Sequence, residues 1–144
     1  VKARLGWVAY VLSALKAFTG QGFRVHVDAD GERTSSQQAR SVMVGNCGEL
    51  TAGAQLMPDA RVDDGLLDTV LIAPRGVVGW AAVALDLVTR HRRGHRAVRR
   101  LQAAKVSVRL GRRVEGELDG DPVGPVLEMT CGVRPGALVV RMPA

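Results

Sequence analysis

Residues 58–74 read PDARVDDGLLDTVLIAP. The first half is acidic and turn-forming, with Asp63-Asp64-Gly65 supplying the turn chemistry. The second half is an apolar strand, LLDTVLIA, that Pro74 terminates. Four carboxylates (Asp59, Asp63, Asp64 and Asp68) gather at the mouth of that strand in a chain whose net charge is +6. Three readings compete for them: a solvated turn, a cation site, or part of an active site.

Working outward, the same strand-and-turn grammar recurs. In FRVHVDADGERT, residues 23–34, Phe23, Val25 and Val27 alternate with Arg24, His26 and Asp28. That alternation reads as a half-buried strand, and Asp30-Gly31 as the turn after it. SVMVGN, 41–46, is a strand ending at Asn46, and a glycine-bearing loop leads from it to Pro58. Beyond residue 104, KVSVRL, RVEGELDG, PVLEMTC and ALVVRM are short alternating segments bounded by Gly and Pro, the pattern of antiparallel strands. Two helices are expected. Leu5, Val8, Leu12 and Leu15 share a face of the first, over 5–18, and Gly20 stops it. The second covers GVVGWAAVALDLVTRHRRG, 76–94, apolar early and basic late, which suits the helix dipole. The expected fold is mainly β: an antiparallel β-sandwich with two helices, in one domain over 1–144.

Composition agrees. Apolar residues make up 47% and aromatics 3%, so the core is built from Val, Leu and Ala, and disorder is excluded. Cys47 and Cys131 stand far apart with no CxxC spacing, so they read as reduced structural thiols. Residues 90–113 hold nine Arg and one Lys and no acid, +10 in all, which leaves −4 for the rest of the chain. This local basic block points to an anionic partner, or to a solvated face. No aromatic follows Trp80, so base stacking on nucleic acid is unsupported.

The order of motifs resembles a known family. VMVGN (42–46), LMPDARVDDGLLDTVLI (56–72), GELDGDPVG (116–124) and RPGALVVRMP (134–143) occur in that sequence. LGWVAYVLSAL (5–15) and RRGH (92–95) accompany them. Together they resemble the C-terminal domain of the diacylglycerol kinase/sphingosine kinase-like lipid kinases, of the bacterial diacylglycerol kinase type. The resemblance implies a β-sandwich of the NAD kinase/diacylglycerol kinase-like fold. It also implies a partner domain on the N-terminal side with a GGDGT nucleotide site, a motif this chain lacks. The implied reaction is phosphorylation of a lipid hydroxyl by ATP, with diacylglycerol giving phosphatidic acid, at the cytoplasmic face of the inner membrane. The chain by itself is expected to be inactive.

The resemblance also implies site residues. Magnesium would sit on the Asp64 carboxylate with the backbone oxygens of Arg61 and Leu66, a hard-cation set of oxygen ligands. In ELDGDP, 117–122, the family motif is DGE, so Asp119 is expected as general base and Asp121, where Glu is usual, as its partner. Read as strand residues two apart, the pair would share a face; a plain hairpin turn is the competing reading. Asn46 and Gly53 are expected to line the substrate cleft. Arg92, Arg93 and Arg96 are expected to meet anionic headgroups, each basic residue contributing around 1 kcal/mol near a charged surface. The alternative function is a non-enzymatic β-sandwich that binds an anionic membrane or nucleic acid through the arginine block.

Overall fold

The computed structural model describes residues 21–33, 36–48, 57–89 and 97–139. Eight strands and one helix fall in these residues. They are β1 (Phe23–Ala29), β2 (Glu32–Arg33), β3 (Gln37–Ala39), β4 (Ser41–Gly45), β5 (Leu67–Ile72), α1 (Gly76–Thr89), β6 (Val98–Ala103), β7 (Lys105–Leu118) and β8 (Asp121–Gly132). The domain is mainly β, and all strand pairs among the described residues are antiparallel.

The strands form two sheets. One runs β2-β1-β7-β8, with β3 also paired to β1; the other runs β4-β5-β6. The alternation of β1 is what joins them. Phe23, Val25 and Val27 turn inward beside Val106, Val108 and Leu110 of β7, and meet Leu67, Leu71 and Ala103 of the second sheet. The other face of that sheet is covered as well. Val70, Ile72 and Val98 pack with Val83 of α1, Met57 and Ala97. β5 is therefore a middle layer, buried at every residue. A strand covered on both faces reads as a nearly continuous apolar run, as 66–73 does. Its two interruptions, Asp68 and Thr69, are the buried polar residues of the core.

Two turns show the local chemistry. Asp30 and Gly31 both take positive φ, 50° and 86°, between the paired residues Ala29 and Glu32. Asp119 and Gly120 do the same, at 52° and 91°, between Leu118 and Asp121. Two-residue hairpin loops with both φ positive match the twist of the flanking strands, and Asp-Gly suits them.

Several expectations change. KVSVRL and RVEGELDG are one strand, β7, which passes through a register irregularity between Arg109 and Val114. Gly111 sits there, where a Cβ would come within 3.1 Å of Arg24 Cβ, so the strand bends past β1 where two alternating segments were read. β3 and β6 were not expected. β6 takes Arg99 and Arg100, from the middle of the arginine block, into the second sheet, where pairing with β5 overrides their charge. Ala137–Val139, read as the start of a strand, has no strand pairing and lies exposed. The first helix (5–18) and the basic tail of the second (90–94) lie outside the described residues. Among the described residues, no helix is long and apolar enough to cross a membrane.

Candidate functional site

The 57–66 loop is held against the turn after β4. Ala60 N donates to Met57 O at 3.1 Å, which closes the first bend. Gly48 lies so close that a Cβ there would be 2.6 Å from Met57 O. The loop's second bend is closed by Asp64, whose Oδ1 accepts from Leu66 N at 2.9 Å, with Gly65 at φ 75°. The Arg61 guanidinium points away to Asp63, with Nε donating to Oδ1 at 3.2 Å. That exposed pair holds the Asp63 carboxyl below the usual carboxylate range, first through the hydrogen bond and then through charge.

The backbone carbonyls of Arg61 and Leu66 turn toward one point, and the Asn46 side chain reaches it. With its amide nitrogen inward, Asn46 donates to Arg61 O at 2.9 Å and to Leu66 O at 2.8 Å. Asn46 is therefore a clasp on the loop.

Behind the clasp lies Asp68, which sequence reasoning counted among the acids but gave no role. It is 6% exposed and pairs across the sheet with Gly45 on one side and Gln102 on the other. Gln102 Nε2 donates to Asp68 Oδ1 at 3.1 Å and lies 3.5 Å from Asp59 O. Asp68 Oδ2 is buried with no hydrogen-bond partner among the described residues. Burial pushes this carboxyl above its ordinary value. Gln102 opposes the shift, and the charges of Asp64 and Asp59 add to it. The sequence signal was present: an acid inside an apolar strand core is rare unless it is paired or used.

The second acidic constellation is the tip of the β7–β8 hairpin. Asp119 is the first turn residue, and Asp121 opens β8 opposite Leu118. The expectation that they share a strand face is corrected: positive φ at Asp119 and Gly120 takes both out of the ladder. Both acids are exposed. The open end of the hairpin lies by the clasp loop, since Pro135 Cγ is 4.0 Å from where a Gly65 Cβ would stand. Eleven residue steps of β8 separate Asp121 from Gly132, about 36 Å along an extended strand. The clasp and the tip thus adjoin opposite ends of one hairpin. Gly53, Arg92, Arg93 and Arg96 lie outside the described residues.

Comparison with known proteins places this geometry. Residues 1–142 match the pattern of the YegS C-terminal NAD kinase beta sandwich-like domain. The chain belongs to that family. In this YegS-type family, its relatives include a "Probable lipid kinase YegS-like" of Pseudomonas aeruginosa strain UCBPP-PA14. That protein is 32% identical over 155 residues, covering all of this chain and 47% of the relative. A protein of the same name from Pseudomonas fluorescens is 31% identical, covering 99% and 47%. The chain therefore spans about half the length of the curated relatives it matches. A crystal structure of a diacylglycerol kinase from Bacillus anthracis str. Sterne superposes with TM-score 0.65 at 23% identity, over 90% of this chain and 44% of that one. This likeness shows that the YegS-type domain shares its fold with the C-terminal domain of diacylglycerol kinases.

Proposed function

We propose that this domain is the acceptor-side half of an ATP-dependent lipid kinase that phosphorylates a lipid hydroxyl, with diacylglycerol as substrate and phosphatidic acid as product. The observation that carries the reading is the exposed carboxylate pair at the hairpin tip, in a domain of a family whose relatives are named lipid kinases. The nucleotide site, a GGDGT loop, belongs to a preceding domain.

Phosphoryl transfer demands positioning and charge control more than covalent work by the protein. In this reading an Asp119 carboxylate oxygen takes the proton from the lipid hydroxyl. The freed oxygen bonds to the γ-phosphorus, the bond from that phosphorus to the bridging oxygen breaks, and ADP leaves with the electron pair. Asp121 stands two residues on, across the turn, as its partner.

The Arg61–Leu66 loop fits Mg²⁺. Two carbonyls converge on the Asn46 amide, Asp64 closes the turn between them, and Asp68 Oδ2 is buried with no partner among the described residues. When bound there, the ion would supply the positive charge that lets the Arg61 and Leu66 carbonyls and the Asp64 carboxylate stand together. Arg92, Arg93 and Arg96 would draw the enzyme to anionic lipid at the cytoplasmic face of the inner membrane.

The test is turnover of the intact protein with ATP and diacylglycerol in phosphatidylglycerol-containing vesicles. Asp119→Asn should lower kcat by roughly 10²–10⁴-fold without changing the melting temperature, because Asn also tolerates positive φ. Asp121→Glu, which restores the family's usual residue, should keep activity. Near-normal turnover in Asp119→Asn would remove the base role. Failure of the unaltered enzyme to phosphorylate any glycerolipid would remove the substrate assignment.

A further inference from the structure

The point on which Arg61 O and Leu66 O converge is occupied by one end of the Asn46 amide, at 2.9 and 2.8 Å. An amide has two nearly equivalent ends. Rotation by a half turn about its last bond exchanges nitrogen and oxygen with little movement of either position. With nitrogen inward, the two N–H groups satisfy the two carbonyls. With oxygen inward, the amide oxygen would face both carbonyl oxygens at hydrogen-bond distance with no proton between them. Only a cation makes that second arrangement favourable.

The spacing is also compatible with a small cation. Octahedral magnesium has bonds of about 2.05 Å, so neighbouring ligand oxygens stand about 2.9 Å apart. Calcium bonds of about 2.4 Å would open the same octahedral edge to about 3.4 Å. The contacts made by Asn46 have the length of ordinary N–H···O hydrogen bonds, a spacing that an octahedral magnesium edge also accommodates.

We propose that Asn46 is both the stand-in for the cation and one of its ligands: nitrogen inward when the loop is empty, oxygen inward when Mg²⁺ is bound. This rests on the reading of the loop as a magnesium site and adds a ligand from a different strand. An aspartate at position 46 would bind the ion more tightly, but would leave a third oxygen against two carbonyls whenever the ion was absent. A neutral, reversible amide keeps the loop shaped in both states. The turn after β4 therefore stays fastened to the 57–66 loop while Mg²⁺ comes and goes. The two hydrogen bonds surrendered on binding weaken the affinity and make it responsive to the free Mg²⁺ concentration.

Three forms of the intact protein distinguish the outcomes: wild type, Asn46→Asp and Asn46→Ala. Each is freed of metal with chelator and titrated with Mg²⁺ by calorimetry, with melting temperature followed in parallel. Asn46→Ala should bind Mg²⁺ at least roughly tenfold more weakly, the scale expected when a metal site loses a supporting group. Asn46→Asp should melt lower than wild type without metal, bind Mg²⁺ more tightly, and recover more on binding. In wild type, the Asn46 side-chain amide protons should lose their hydrogen-bonded chemical shifts as Mg²⁺ is added. This last readout stands even if a variant fails to fold. If wild type neither binds nor is stabilised by Mg²⁺, the magnesium reading fails and the inference goes with it. If wild type binds while both variants bind equally well, or its amide shifts do not move, Asn46 is a plain hydrogen-bonded bridge. In that case the inference fails and the magnesium reading stands.

Discussion

Asp68 and Gln102 face one another across β5 and β6, and the 3.1 Å hydrogen bond between them leaves the second oxygen of Asp68 buried and unmatched among the described residues. One amide cannot satisfy two carboxylate oxygens. Negative neighbours at Asp64 and Asp59 make the charge still less welcome. A buried acid in this state stabilises the fold when protonated and weakens it when ionised.

The pH dependence follows from that sign. The folded protein holds the Asp68 proton more tightly than the unfolded chain, whose carboxyl titrates near 3.8. Stability is therefore greatest with the group protonated. It falls as pH rises from about 3.8 through the raised folded value, and is level above it. Asp68→Asn keeps an acceptor for Gln102 and removes the charge, so this fall should disappear. Urea midpoints against pH, taken in chelator, would show it. An equal slope in variant and wild type would rule out Asp68 as its source.

Gly48 carries a steric prediction. A Cβ there would stand 2.6 Å from a backbone oxygen, which cannot swing aside as a side chain can. Gly48→Ala should push the turn after β4 off the Met57 bend and cost about 1–3 kcal/mol, the usual range for overpacking. Denaturant unfolding checks the cost. Since Asn46 is two residues away, Mg²⁺ affinity should fall together with stability.

The two Asp-Gly turns should respond differently to alanine. Asp30 accepts from Lys105 N at 2.8 Å and Ala104 N at 3.2 Å, tying β1 to the start of β7. Asp30→Ala loses both bonds and places a Cβ residue at φ 50°, so it should cost about 2–4 kcal/mol. Asp119→Ala at the hairpin tip should cost about 1–2 kcal/mol, from the backbone conformation alone. Equal losses in urea unfolding would mean that the Asp30 contacts contribute nothing.

What the sequence determined by itself was local. Alternation marked β1, a strand-length apolar run marked β5, Asp-Gly pairs marked both tight turns, and the motif order pointed to the lipid kinase family. Each of these signals lies within a few neighbouring residues, where side-chain period and turn chemistry act. The tertiary structure decided the rest. It drew Arg99 and Arg100, from the middle of the arginine block, into β6, because pairing with a fully buried strand outweighs the cost of placing two arginines on its edge. It made one long strand of two short segments, because a glycine could pass close to Arg24. It carried Asn46 to the carbonyls of Arg61 and Leu66, fifteen and twenty positions further along the chain. Every residue has a backbone carbonyl, so no letter in a sequence says which two will face one another. Only the packed loop does.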